Sequence, residues 1–418
     1  MSSTGAARAA SRAGAKQGGA VGRLLRTPDY RRLWVLGGIA NAMRWLEMLA
    51  ASLWTFEATQ SALAVAAVAM MRALPMLLLG ALAGVLAERF DRRRLLIWLQ
   101  LSSAFGAGAV TLLAVLGVLA PWHLMVQGLI AGLAWAGEMS TRRRMAAEAA
   151  PPEDLVPAVA LDTMTGSTTR AIGPLLGGAL FQWAGLPVAV GLACLLHLVA
   201  MFMVLRVTPA PNAVRPVGHG TLAGIGEALR LSLASPPLRV VLGVTLIMNI
   251  FAFCYGAILP AFGAEAFSVA GAAIGLLAAA EPLGALVGGL WITLGRRTPP
   301  GTAPLVLGST VFLVLMTIVA FSPTYLLAWS LLALGGLGTA RFSAMQTSVV
   351  MTKAPIESRS RVLGLVTTCI GTSPLGVLTV GALSDAYGPR FAILLMAGTG
   401  LFLMLLMLLV ERRMARRA

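Results

Sequence analysis

Eight ionisable side chains stand inside long apolar stretches of this sequence: Arg44, Glu47, Arg72, Glu138, Asp162, Arg170, Glu281 and Arg341. A charge at mid-bilayer costs about 2.5–3.5 kcal/mol on insertion scales, so each needs a partner or a task. A carboxyl there can be neutral in one access state and charged in another, which suits it to carrying protons. A guanidinium stays charged and can hold an anion. Glu281 has no basic neighbour within a helical turn and is the first candidate for a proton-coupling group. Arg170 and Arg341 have no acidic partner three or four residues away, so they either anchor an anionic substrate or pair with glutamates on other helices. The others have local alternatives. Arg44 and Glu47, three apart, can pair on one helical face. Glu138 is four before Arg142 and can form an ion pair with it, and Asp162 can complement a helix dipole.

The elements that hold these residues are helices. Of 418 residues, 58% are hydrophobic and 11% charged, against about 45–50% and 25% for soluble domains. The apolar runs reach the length of about 20 that a bilayer requires, and they are unbroken rather than alternating, so helices are expected over a barrel. Twelve spans follow: Leu33–Phe56, Ala62–Ala87, Leu95–Leu119, Trp122–Thr141, Pro157–Trp183, Pro187–Leu205, Val240–Phe262, Val269–Leu294, Pro304–Phe321, Tyr325–Thr352, Val362–Asp385 and Phe391–Val410. Spans three, six, nine and twelve contain no Asp, Glu, Lys or Arg, as lipid-facing helices should; His197 on span six is their only titratable imidazole. The rest, span seven excepted, keep charges, as helices around a wet cavity should.

Net charge is +16. The basic residues collect in alternate loops, at Arg92–Arg94, Arg142–Arg144, Arg206–Arg239, Arg296–Arg297 and Lys353–Arg361, and in both tails. By the positive-inside rule both termini are cytoplasmic, which requires an even number of spans. No basic run is interleaved with aromatics, so nucleic-acid binding is not expected. The tail to Asp29 also has the composition of an organelle transit segment, but a cytoplasmic basic tail is the simpler reading. Cys194, Cys254 and Cys369 fit no metal spacing and His123, His197 and His219 are scattered, so no metal or cofactor is expected. No phosphate-binding loop and no nucleophile–base constellation is present, which argues against an ATP-driven pump or an enzyme.

The halves resemble each other. Gly178-Ala179-Leu180 returns as Gly381-Ala382-Leu383, Pro152 as Pro355 and Gly185 as Gly388, each 203 residues later. Ser61 and Pro75 pair with Ser268 and Pro282 at an offset of 207. A parallel six-plus-six repeat places a site between two halves. The expected organisation is a basic tail (1–29), a six-helix bundle (30–206), a linker with a short amphipathic helix (207–238), a second bundle (239–411) and a basic tail (412–418).

Between spans two and three, Gly84, Glu88, Arg89, Asp91, Arg92 and Arg93 resemble the loop signature of the major facilitator superfamily. Glu88 stands for the usual aspartate, and Asp91, where glycine is common, resembles the branch of enterobactin exporters and macrolide efflux pumps. Gly173-Pro174 and Gly177-Gly178 on span five resemble the glycine-proline signature of facilitator antiporters. Leu24-Leu25-Arg26 through Trp34, and Pro355 through Val362 with Ser360 where glycine is usual, also match that branch. In span one, Arg44 and Glu47 replace an acid and an amide common there. The resemblance implies an all-α integral membrane protein of two pseudo-symmetric six-helix bundles. It implies a cytoplasmic gate at the loop signature and a substrate and proton cavity drawing on Arg44, Glu47, Glu138, Arg170, Glu281 and Arg341. The expected activity is export of a small molecule (a drug, siderophore or secreted metabolite) by proton antiport, from a monomer in the bacterial inner membrane. Uptake is the second reading and a non-transporting sensor a remote third.

Overall fold

The computed structural model describes residues 19, 21–89, 91–208, 221–294, 301–355 and 358–415. Most of the N-terminal tail, Arg296, Arg297 and Glu357, and the side chains of Gly84, Glu88, Arg89, Ser360 and the C-terminal arginines lie outside what it describes. The chain forms α1 (Pro28–Thr59), α2 (Ala62–Arg89), α3 (Arg92–Val115) and α4 (Pro121–Ala149). The stretch Leu155–Leu205 divides at Gly185 into α5 (155–184) and α6 (186–205). After α7 (Thr221–Ala234), span seven is α8 (Pro236–Ile247) and α9 (Leu259–Phe267), joined by a π turn over Met248–Ala252 and a 3-10 segment over Phe253–Ile258. Then come α10 (Gly271–Leu294), α11 (Thr302–Val319) and α12 (Tyr325–Lys353). Span eleven is α13 (Arg359–Ile370) followed by α14 (Ser373–Tyr387), and α15 (Pro389–Ala415) is the twelfth. There is no strand among the described residues.

Local chemistry explains these boundaries. Pro28, Pro121 and Pro236 open their helices where a missing N–H costs nothing. Hydroxyls within the spans return their protons to the preceding turn, as Thr55 does to the Ala51 carbonyl and Thr245 to that of Val241, both at 2.7 Å. The helices without charge present large apolar side chains outward, among them Phe105 on α3, Phe202 on α6 and Phe402 on α15. α4 differs from the sequence expectation. It runs to Ala149, not Thr141, so Arg142–Arg144 belong to a helix rather than a loop. The hydropathy pattern stops at the first charge cluster, but the residues beyond it are good helix formers, and Arg144 pairs with Glu148 one turn on at 3.1 Å.

The repeat seen in the sequence has a geometric counterpart. Gly185 and Gly388 both take positive φ, 75° and 83°, in extended turns between consecutive spans. Gln60 and Ser268, ending spans one and seven, are both left-handed with φ 50° and 56°. α1–α6 form one bundle and α8–α15 the other. They meet along two seams, α5 with α10 and α2 with α14. Both seams close at the end opposite the basic loops. A Cβ on Gly178 would lie 2.5 Å from the Gly271 carbonyl oxygen, and one on Gly381 3.1 Å from that of Ala62. Beside them, Gln182 Oε1 accepts from the Ala272 N–H at 2.7 Å. Asp385, 203 residues after Gln182, accepts from the Ser61 hydroxyl and the N–H groups of Ala62 and Leu63, capping α2 from the other bundle.

At the basic end the N-terminal segment is tied down by Arg23, which forms a two-armed contact with Asp154 in the turn before α5 (Nε to Oδ2 2.9 Å). The Arg23 guanidinium, first through its hydrogen bond and also through its charge, holds the Asp154 carboxyl below its ordinary range, with burial opposing. A depressed carboxyl contributes its stabilisation above the unfolded value, near about 3.9, and loses it as pH falls through the folded one. Hydrogen exchange over residues 21–27 should therefore stay protected from neutral pH down to about pH 4 and accelerate below it. Acceleration already near about pH 6 would assign the tether to some other group.

Candidate functional site

Small residues let the helices approach closely enough to bring distant charges together. A Cβ on Gly173 would lie 3.0 Å from the Ala42 carbonyl oxygen, and one on Gly177 2.7 Å from that of Leu46, so both glycines seat α5 on α1. Gly178 faces α10, and the Pro174 carbonyl meets Gly275 there. The glycine-proline block therefore serves two interfaces at once, one within its bundle and one across the seam. Gly37 on α1 leaves the space that the Arg142 guanidinium fills.

Inside the first bundle lies a polar cavity lined by residues of α1 through α6, including Arg44, Glu47, Arg72, Glu138, Asp162 and His197. Glu47 is buried at 2% exposure. Its Oε2 accepts from Arg72 at 3.1 Å and from the Gln127 amide at 3.2 Å, and its Oε1 is 3.6 Å from His197 Nε2. His197 Nδ1 sits 2.8 Å from Gln100 Oε1. Deeper toward the basic end, Arg142 reaches Asp162 at 2.6 Å and Glu138 at 3.4 Å, and Arg143 reaches Asp162 at 3.2 Å. Arg44 does not pair with Glu47. Its guanidinium lies between two indoles, 4.6 Å from the Trp45 centroid and 4.2 Å from that of Trp135. Arg44 Nε and Trp45 Nε1 are buried donors without an acceptor among the described residues.

Across the α5–α10 seam, Arg170 forms an ion pair with Glu281. The Thr339 hydroxyl on α12 donates to the other carboxylate oxygen. Glu281 is 1% exposed and Arg170 37%, so the pair has a buried carboxylate and a partly exposed guanidinium. Arg170 also lies 5.8 Å from the Trp45 ring, placing it beside Arg44. Glu281 is thus not the lone carboxyl that its own helix suggests.

The structure gathers five of the six expected cavity residues and leaves one out. Arg44, Glu47, Glu138, Arg170 and Glu281 belong to this connected region. Arg341 is exposed on the outer face of the second bundle, among Trp291, Val311 and Leu334. Of the loop signature, Asp91 caps α3 by accepting from the Arg94 N–H at 2.7 Å. Arg92 ties α3 to Glu148 of α4 at 2.7 Å, and Arg93 donates to the terminal carbonyls of α6 at Val204 and Leu205. These contacts brace the first bundle from within. His197, Gln100, Gln127, Thr339, Trp45 and Trp135 are absent from the sequence-derived site. His197 had a signal, as the one imidazole on helices otherwise stripped of charge; the amides and indoles had none.

Cutting Glu47 to Ala leaves Arg72 and His197 buried without their carboxylate. Breaking such a pair costs about 3–5 kcal/mol. Glu47→Ala should accordingly lower the midpoint of thermal unfolding in detergent well below that of Glu47→Gln, which retains an acceptor. Equal midpoints for the two would show that the pair contributes no net stability.

The comparisons with known proteins agree with this geometry. The family described as transmembrane secretion effector matches residues 23–416. The enterobactin exporter EntS of Citrobacter koseri is 30% identical over 346 residues, 80% of each chain. That of Escherichia coli O1:K1 is 29% identical over 351 residues, again 80% of each. Among solved structures, the nucleoside transporter NupG superposes with a TM-score of 0.69 at 14% identity, covering 91% of this chain and 98% of that one. A bacterial homolog of the human lysosomal transporter Spinster, in an inward-facing unoccupied conformation, gives 0.70 at 14%, covering 92% and 97%. A twelve-span helical membrane protein with two matched bundles and a full-length family match, this chain belongs to the transmembrane secretion effector family of major facilitator transporters.

Proposed function

We propose that the protein is a proton-coupled exporter that moves an anionic small molecule outward by alternating access. The basic loops and both termini lie in the cytoplasm of a bacterial cell, and 30–206 and 239–411 rock about the site between them as a monomer. The observation that carries this reading is the Arg170–Glu281 pair, which joins the two bundles beside Arg44. Among the described residues, the hydrogen bonds between bundles lie at this pair or at the end away from the basic loops. That arrangement suits a state open to the cytoplasm.

The charges set the ligand class. Arg72 is matched by Glu47, Arg142 and Arg143 by Glu138 and Asp162, and Arg170 by Glu281. Arg44 is left over among the described residues, with an idle Nε–H and the Trp45 N–H beside it. A substrate carrying an anionic or acceptor-rich aromatic group would satisfy both donors and stack on the indoles. The enterobactin exporters among its relatives make a catecholate siderophore a reasonable first probe.

In the cycle, substrate binds from the cytoplasm against Arg44 and competes for Arg170. Once the outer seams have parted, a proton from outside neutralises Glu281 and releases Arg170 from it. His197, with Nδ1 against Gln100 and Nε2 facing Glu47, shares a second proton site with that carboxylate in the first bundle. The loop signature Gly84, Glu88, Arg89, Asp91, Arg92 and Arg93 closes the cytoplasmic side when the outer seams part. Enterobactin transport into everted vesicles under an imposed proton gradient tests the reading. Accumulation that collapses with an uncoupler and falls at least about tenfold in Arg44→Gln supports it. Accumulation indifferent to the uncoupler would rule out proton antiport, and an unaffected Arg44→Gln would rule out the anion site.

A further inference from the structure

We propose that the groove formed by α10, α11 and α12 on the outer face of the second bundle binds an anionic phospholipid, its phosphate on Arg341 and an acyl chain along the groove. The groove has a volume of about 460 Å3 and is walled by Trp291, Ile292, Val311, Leu315, Leu334 and Leu337. Its depth comes from glycines. Gly288 of α10 faces Ala340, and Gly308 of α11 lies against Gly338 and the Arg341 Cβ, so both helices pack on the α12 backbone and leave a channel over it.

Among the described residues that line this channel, Arg341 is the one charge. It makes no hydrogen bond, ion pair or ring contact with any described residue, unlike the five charges of the central region, each of which has a carboxylate, guanidinium or indole beside it. An arginine facing hydrocarbon without a counter-ion is unfavourable, so its partner comes from the membrane. The depth is right for a headgroup. Arg341 is level with Gly308, six residues into α11, which is about 9 Å from that helix end. A long side chain snorkels over much of that distance toward the interface. The end in question carries the basic loops, with Arg296 and Arg297 following α10 in the sequence. Basic pockets between helices on that side suit anionic headgroups. The exposed walls, with Trp291 at 63% and Leu334 at 52%, match an acyl chain rather than a polar solute.

The test uses the full chain reconstituted in vesicles containing phosphatidylglycerol or phosphatidylcholine with brominated acyl chains. The fluorescence of Trp291 is taken as the difference between the protein and its Trp291→Phe variant. Brominated phosphatidylglycerol should quench Trp291 with an apparent affinity about fivefold above that of phosphatidylcholine, as expected for one arginine at an anionic surface. Arg341→Gln should make the two lipids equivalent, and Arg341→Lys should retain part of the preference. Equal quenching by both lipids in the unaltered protein would overturn the proposal without reference to any variant, as would a preference that survives Arg341→Gln. Proton-driven export by Arg341→Gln should remain measurable, which separates a lipid site from the central substrate site.

Discussion

Glu281→Gln should abolish proton-driven export while leaving substrate exchange across the membrane intact. Glutamine keeps the size of the side chain and can still accept from Thr339, but it cannot alternate between charged and neutral forms. Its loss of charge also frees Arg170, the partner across the seam. Losing one member of a buried pair is worth about 3–5 kcal/mol, which moves a two-state balance by more than about a hundredfold. Net export of the transported probe against its gradient should therefore fall at least about a hundredfold. Exchange of labelled for unlabelled substrate, which needs no proton cycle, should persist. Neutralising both partners, Arg170→Gln with Glu281→Gln, should leave a protein that exchanges substrate without responding to an imposed pH gradient. Undiminished gradient-driven export by Glu281→Gln would remove this residue from the coupling step and leave Glu47 with His197 as the remaining carriers.

The second large effect concerns the outer seams. Gly178 faces the main chain of Gly271 and Gly275, while Gly381 faces the Ala66 Cβ and the main chain of Ala62 and Leu63. A leucine at either position has nowhere to go unless the bundles part, because the nearest atoms are main chain or an alanine Cβ rather than movable side-chain ends. Gly178→Leu and Gly381→Leu should each stop export and hold the protein open on the side away from the basic loops. Cross-linking reads this directly. In a background lacking Cys194, Cys254 and Cys369, a short bifunctional thiol reagent should join Gln182→Cys to Ala272→Cys, whose parent groups are hydrogen-bonded at 2.7 Å. Adding Gly178→Leu should abolish the product. Persistent cross-linking together with normal export would mean that the seam does not need the glycine.

Twelve spans and a two-fold repeat were legible in the sequence because lipid imposes a length on apolar runs and because a backbone turn such as Gly185 and Gly388 survives at a fixed offset. The helical extension of α4 was not legible from hydropathy, since a helix leaving the membrane keeps its hydrogen bonds after its side chains become polar. The candidate site was half legible. Intramembrane charges mark themselves by their cost, which located Arg44, Glu47, Glu138, Arg170 and Glu281. Their partners were hidden because the pairing runs between helices; Arg170 and Glu281 are 111 residues apart. The same limit explains Arg341. Its cost was visible, but the face it occupies depends on how α10 and α11 pack on α12, and no periodicity within α12 alone reveals that.

Asp385 and Gln182 occupy matching places in the duplicated architecture, yet one is an anion and the other a neutral amide. An anion at a helix start is a charge–dipole attraction that dissolved ions weaken, whereas an amide contact is nearly indifferent to them. Ionic strength at the end away from the basic loops should thus slacken the α2–α14 fastening and leave α5–α10 alone. The molecule would then unzip from one flank instead of splitting evenly. The mismatch gives a two-fold scaffold a preferred direction of opening, and dissolved salt at that end becomes one of the variables that set its pace.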